Sequence, residues 1–333
     1  MATAPRHVAA GLRSRLRTAA TALALLGAAV ATGCGLGAGP SAEGEARLTV
    51  TRGFGEETLL EATISDPDRS ETVTRFLDRE AEIETSYGGN FVDGIEGLRG
   101  GSSGGRRSDW FFYINGYWSP VGAAEARVRP GDEIWWDYRQ WEAAYRVPAV
   151  VGSWPQPFAS GFGGERFPTV VECESSSGVC DDVSERLRSA GAELVEEGGV
   201  SEPEAVLRVL VGTWQALEGD RAARLLMEGP GASGVYAIPR ADRDGWRLAA
   251  LDRRGREQAE LGAGGGLVAA VRLGERQPTW LVAGNDESGL RAAVDLLDRD
   301  ALADRYAVIA DPRTAVTSVP VPTAPEDRPG DDG

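Results

Sequence analysis

Between Trp110 and Trp141 the chain carries its densest run of aromatic side chains, WFFYINGYWSPVGAAEARVRPGDEIWWDYRQW, and that run restricts the fold more than any other stretch. Asn115-Gly116 separates two aromatic strings, and both residues tolerate positive φ, so the spacing predicts a type I′ turn between paired strands. Arg129-Pro130-Gly131-Asp132 supplies a second turn, because proline fixes φ and the glycine after it accepts conformations closed to other residues. It delivers the chain into a strand from Ile134 to Trp141. Period-two alternation puts Trp110, Phe112 and Ile114 on one face of the first strand and Phe111, Tyr113 and Asn115 on the other. In the last strand Ile134, Trp136 and Tyr138 likewise oppose Trp135, Asp137, Arg139 and Trp141. One face must be core. The other is too aromatic for a solvated surface, and marks either packing against the rest of the chain or a ligand site.

Upstream, Arg47 to Arg52 and Leu59 to Ser65 read as strands around the turn Gly53-Phe54-Gly55-Glu56. Ser70 is placed to cap a helix starting at Glu71, with Val73, Phe76, Leu77 and Ala81 on one face. Ile83 to Tyr87 and Phe91 to Ile95 are short strands, and Arg99 to Ser108 is a glycine-rich loop. The order is ββα followed by further strands, as in a β-grasp.

Trp110-x-x-x-x-Asn-Gly, Pro120-Val121-Gly122, Val128 and Gly131-Asp132-x-Ile-x-Trp, in that order, resemble the transcobalamin-like C-terminal domain family, much of it of unknown function. The resemblance covers residues 46–146. It implies a β-grasp domain that, in cobalamin carriers, closes over a corrinoid held by a separate helical barrel, for which these 333 residues hold no counterpart. It also implies that Tyr113, Asn115, Tyr117 and Trp118 lie nearest a ligand, to which the aromatic second face adds Trp135 and Trp141. Asn115 has an alternative role, serving the turn alone.

The N-terminus reads as an export signal. Arg6, Arg13, Arg15 and Arg17 precede an apolar segment, Ala19 to Val30, too short to span a bilayer comfortably. Ala31-Thr32-Gly33-Cys34 resembles a bacterial lipobox, in which Cys34 is acylated and becomes the new N-terminus; ordinary signal cleavage beside an incidental cysteine is the alternative. The expected address is the outer face of the bacterial cytoplasmic membrane. The expected organisation is a signal over 1–33, a tether over 34–45, the β-grasp domain over 46–146 and a linker over 147–167. An α/β domain follows over 168–311, and an acidic, proline-rich tail without structure over 312–333.

In the second half, strands at Thr169 to Cys173, Val206 to Val211, Gly234 to Ile238, Trp246 to Leu251, Leu267 to Arg272 and Thr279 to Ala283 alternate with helices. The helices are at Val183 to Ala190, Asp220 to Met227 and Ser288 to Leu297. The fold class is therefore α+β, an N-terminal β-grasp followed by a mixed-sheet α/β domain. Two βα pieces, Val209 to Gly212 leading to Asp220 and Trp280 to Gly284 leading to Ala292, look alike. Gly262 to Gly266 lacks the Gly-Lys-Ser/Thr of a phosphate loop and reads as a turn.

Composition narrows the function. The formal charge is −16, and removing the first 33 residues takes away four Arg and no acidic residue, so nucleic acid is not an expected partner. There is no Lys, and the single His, His7, lies in the signal. Cys173 and Cys180 lie seven apart and are expected to form a disulfide in an oxidising compartment. No metal, cofactor or catalytic residue is expected, because the usual general base, Schiff-base lysine and free thiol are all missing.

These observations point to a lipid-anchored binding protein that captures a small ligand, a corrinoid among the candidates, at the aromatic hairpin and the domain interface. A membrane transporter is a candidate partner. A surface adhesion or scaffold module that meets protein or glycan is the alternative. A third class, a glycan-active enzyme, would use carboxylates such as Asp132 and Asp137. An open cleft at the hairpin favours ligand capture, and an aromatic face buried by the second half favours the scaffold.

Overall fold

The computed structural model describes residues 44–103, 106–196, 205–313 and 315–322, so Cys34, the signal and most of the tether lie outside the described residues. The protein is α+β. Strands β1 (Glu45–Arg52), β2 (Glu57–Ser65), β3 (Ile83–Ser86), β4 (Phe91–Ile95), β5 (Leu98–Arg99), β6 (Gly101–Ser103), β7 (Arg106–Ile114), β8 (Tyr117–Trp118) and β9 (Glu133–Gln140) build the first half. Its main sheet has the order β2-β1-β9-β7-β6, with β8 paired to β7. β1 and β9 run parallel, with Leu48 opposite Ile134 and Val50 opposite Trp136, while β7 is antiparallel to β9 with Phe112 opposite Trp136.

One helix, α1 (Val73–Glu80), lies against this sheet. Its apolar positions Val73, Phe76 and Leu77 pack with Leu48, Val50, Trp110, Phe112, Ile134 and Trp136, the same strand residues that alternation assigns to one face. This is the β-grasp arrangement. The cap differs from expectation: Thr72, not Ser70, precedes the helix, and its Oγ1 accepts from Arg75 N at 3.3 Å. Glu71 is unavailable to the helix because its carbonyl accepts from Val128 N at 3.1 Å. The glycine-rich stretch read as a loop forms β6 on the edge of the sheet, with Gly101 opposite Ser108.

The second half contains β10 (Thr169–Glu174), β11 (Leu207–Thr213), β12 (Ala237–Asp242), β13 (Gly245–Leu251), β14 (Glu257–Leu261), β15 (Gly266–Val271), β16 (Thr279–Gly284), β17 (Ala307–Asp311) and β18 (Ala315–Val319). A mixed sheet runs β10-β11-β16-β15-β17-β18, and β12-β13-β14 form a small antiparallel sheet. The longer helices are α2 (Ser177–Ser189), α3 (Arg221–Met227) and α4 (Glu287–Asp295). The two similar βα pieces differ in detail: Asp220 and Asp286 each accept a backbone N–H at the start of a helix, but a short helix, Trp214–Leu217, stands between β11 and the first of these, whereas the second follows β16 directly. Cys173 and Cys180 form the expected disulfide, tying the end of β10 to the first turn of α2 across a Cα separation of 5.8 Å.

Two stretches depart from the organisation read from sequence. Residues 147–167 are not an exposed connector. Val147, Val150, Val151, Trp154 and Phe158 are buried and join the cores of the second half, because apolar residues stand between the prolines and glycines that suggested a break. Residues 315–319 form β18, antiparallel to β17, where a structureless tail was expected to have begun. Val319 is fully buried in the core, and Val321 N–H donates to Leu251 O at 2.8 Å, which holds that segment to β13.

Candidate recognition surface

Asn115 and Gly116 have φ of 54° and 81°, the tight turn their sequence predicts. Gly116 is required there, since a Cβ would sit 2.8 Å from Val150 O. The Asn115 amide is fully occupied. Its Nδ2 donates to Asp132 Oδ1 and to Gly161 O, both at 2.8 Å, and its Oδ1 accepts from Glu133 N at 2.8 Å. Asp132 closes the second turn on itself by accepting from Arg129 N at 2.8 Å. Burial raises the Asp132 carboxyl to about 6, against the hydrogen bonds from Arg129 and Asn115. Asn115 thus welds the two turns together and has no group left for a ligand.

The second aromatic face is closed. Phe111, Tyr113 and Trp135 pack in one core with Phe54, Tyr236 and Tyr306. Tyr306 makes edge contacts to Trp135 at 5.1 Å and to Tyr113 at 5.8 Å between ring centroids. Beneath the rings, Asp137 is fully buried. It accepts from Thr51 Oγ1 at 2.7 Å, Phe54 N at 3.0 Å, Gly55 N at 3.2 Å and Tyr306 Oη at 3.0 Å. Trp135 Nε1 donates to the same Thr51 Oγ1 at 2.8 Å. Desolvation raises the Asp137 carboxyl, while these donors and the Arg139 cation oppose it.

Tyr117 is fully buried as well, stacked on Phe162 at 4.4 Å with its hydroxyl donating to Gln277 Oε1 at 2.8 Å. Of the two arrangements the sequence left open, this is the buried face: Tyr113, Asn115, Tyr117 and Trp135, named above as ligand contacts, are spent on packing because the second half covers them. Asp132 and Asp137 are equally enclosed, so the two carboxylates singled out for glycan hydrolysis have no access to a substrate.

Trp118 and Trp141 behave differently. Both are only partly buried, and both meet the exposed ring of Tyr145, Trp118 at 6.1 Å and Trp141 at 5.4 Å, edge-on in each case. Tyr145 is 55% exposed. The guanidinium of Arg107 lies 3.9 Å from the centre of the Trp141 ring and that of Arg146 lies 5.4 Å from Trp118. The result is a continuous surface row, Arg107, Trp141, Tyr145, Trp118, Arg146.

Local structure explains the row. β8 is only two residues long, so Trp118 stands at the end of its ladder. Trp141 follows the last residue of β9 and is held by its N–H to Arg107 O at 3.2 Å. Buried Arg139 donates from Nη1 to Ala144 O at 2.9 Å and from Nη2 to Tyr145 O at 3.0 Å, which pins the backbone that carries the Tyr145 ring outward. Its guanidinium also lies 3.8 Å over Phe111, so it joins the closed face to the open row. Tyr145, Arg107 and Arg146 were not singled out by sequence, where nothing separates a surface ring from a core one.

Elsewhere, a groove of about 620 Å³ runs beside α2, lined by Trp154, Asp182, Glu185, Arg186, Leu297 and Arg299. It contains none of the expected site residues. Among the described residues no group of three or more His, Cys, Asp or Glu side chains is arranged to hold a metal ion. No helix among them is long and apolar enough to cross a membrane.

Residues 70–140 match a domain of unknown function (DUF4430). That match spans α1 to the end of β9, which is most of the β-grasp half. No curated protein matches the chain. Among solved structures, a crystal structure described as a candidate metal-binding protein from Ruminococcus gnavus is similar at 15% identity and a TM-score of 0.24. It covers 30% of this chain and 99% of its own.

Proposed function

We propose that this is a non-enzymatic binding protein, exported and held at the outer face of the cytoplasmic membrane through lipidated Cys34, whose recognition surface is the Trp118, Tyr145, Trp141 row. One observation carries this reading: the second half buries Phe111, Tyr113 and Trp135, while Tyr145 stays 55% exposed between two partly exposed tryptophans. Rigid aromatic rings offer large contact area at small entropic cost, which is why they dominate recognition surfaces. An open row suits an extended partner better than an enclosed small molecule, so the surface-module reading takes precedence over capture in an interdomain cleft. The resemblance to transcobalamin-like domains makes a corrinoid the small ligand to titrate first, with a membrane transporter as its receiver.

The test uses the full-length protein in detergent micelles, with tryptophan fluorescence reporting binding of hydroxocobalamin and of soluble glycans. Tyr145→Ala and Trp118→Ala should each weaken any binding detected by about tenfold or more, the usual cost of losing an aromatic anchor. Their melting temperatures should stay close to that of the wild type, because neither residue is in the closed core. Unchanged affinity in both variants would remove the row from the binding site.

A further inference from the structure

The aromatic row has a charged group at each end, the guanidinium carbon of Arg107 lying 3.9 Å from the centre of the Trp141 ring and that of Arg146 5.4 Å from the centre of Trp118. A guanidinium beside a ring keeps N–H groups that can grip a carboxylate through two parallel hydrogen bonds. Among the described residues neither Arg107 nor Arg146 forms an ion pair, and both are exposed. Three rings separate them, each tryptophan meeting Tyr145 edge-on. A complementary ligand therefore carries anionic groups spaced by ring-shaped, partly apolar units, in an extended form that lies along an open surface.

We infer that the row binds an acidic polysaccharide in which carboxylate-bearing sugars alternate with neutral ones. This rests on the reading of the row as the recognition surface and names its ligand class. Sugar rings present C–H faces that stack on tyrosine and tryptophan, and their carboxylates reach the two guanidinium edges. A densely charged polyanion such as nucleic acid is a poor fit, because two arginines neutralise only two of its many closely spaced phosphates. At physiological salt, charges more than about 8 Å away are largely screened, so the pairs at the two ends decide the local balance. One carboxylate opposes them: Glu142 is exposed at the Arg107 end, where it accepts from Arg107 N.

Calorimetric titration of the full-length protein in detergent micelles tests this, with a hyaluronan oligosaccharide against a neutral chitooligosaccharide of equal ring count. Hyaluronan should bind the more tightly, and Arg107→Gln and Arg146→Gln should each weaken it by about tenfold, the scale of a charge-assisted hydrogen bond. Glu142→Gln should tighten it about two- to fivefold, as removal of an exposed opposing charge does. Absence of hyaluronan binding, equal affinity for the two sugars, or arginine variants that bind hyaluronan like the wild type would each overturn the acidic class. The surface itself is judged separately by Tyr145→Ala. If that variant still loses the neutral sugar or hydroxocobalamin, the row remains the binding surface with a different ligand; if it loses neither, the row is not a binding surface.

Discussion

Trp135 and Trp141 fall on the same face of one extended segment, six positions apart, yet one is 2% exposed and the other only partly buried. The segment is the same; the cover differs. Tyr306 and Phe54 close over the Trp135 end, and at Trp141 the only ring in contact among the described residues is Tyr145, itself open to solvent. Alternation assigns a side chain to a face, but what sits above that face is decided by chain distant in sequence. A stretch of aromatics is thus part core and part surface.

The largest test of this contrast is a paired truncation. Trp135→Ala should destabilise by about 3–5 kcal/mol, as large-to-small changes at buried aromatics do, and should also leave Thr51 without one of its partners. Tyr145→Ala should cost less than about 0.5 kcal/mol, the range of exposed substitutions. Urea denaturation of both variants measures the gap, and equal losses would erase the distinction between closed and open ends.

A smaller effect is expected at the turn. Asn115→Gly keeps a residue that accepts the positive φ but removes the amide that joins Asp132, Gly161 O and Glu133 N. Buried groups left without partners cost about 1–3 kcal/mol. Thermal melting at neutral pH should show that loss; a variant as stable as the wild type would mean the turn conformation alone is what Asn115 provides.

The smallest expected effect is pH dependence of the closed region. Asp132 titrates at about 6 when folded against 3.8 as a free carboxyl, so the folded state prefers the proton. The stability this adds is complete below pH 3.8 and is lost as pH rises through about 6. Asp304, raised to about 6 by burial and by Glu61, Glu133 and Asp137 nearby, acts in the same direction. Between pH 7.5 and pH 5 Asp132 should contribute about 1 kcal/mol of added stability. Denaturation at the two pH values, repeated with Asp132→Asn, checks this: a difference unchanged by the substitution would assign the effect to other groups.

Much of the fold was legible because local chemistry and final position agree. β1 alternates, with Ala46, Leu48 and Val50 turned inward, and is followed by a glycine-rich turn, and Asn115-Gly116 adopts the φ values its residue types favour. Residues 147–167 misled because proline and glycine mark breaks in local structure and say nothing of burial, so Trp154 and Phe158 read as linker although they pack against Trp280. β18 was missed because a five-residue strand next to an acidic stretch has no pattern long enough to stand out. Of the six nominated ligand contacts, only Trp118 and Trp141 remain accessible. Tyr145 escaped notice because its position depends on Arg139, whose buried reach to two carbonyls leaves no trace in spacing.

That reach makes Arg139 a rivet between interior and exterior. A ligand that pulled Tyr145 away from its place would strip hydrogen-bond partners from a cation sealed in the core, beside Phe111 and Asp137. The platform is therefore stiff before anything arrives, with little freedom to lose on contact. Such a surface selects partners whose shape and charge already fit and does not mould itself to them. The same rigidity that lowers the entropic cost of association narrows the range of molecules it can accept.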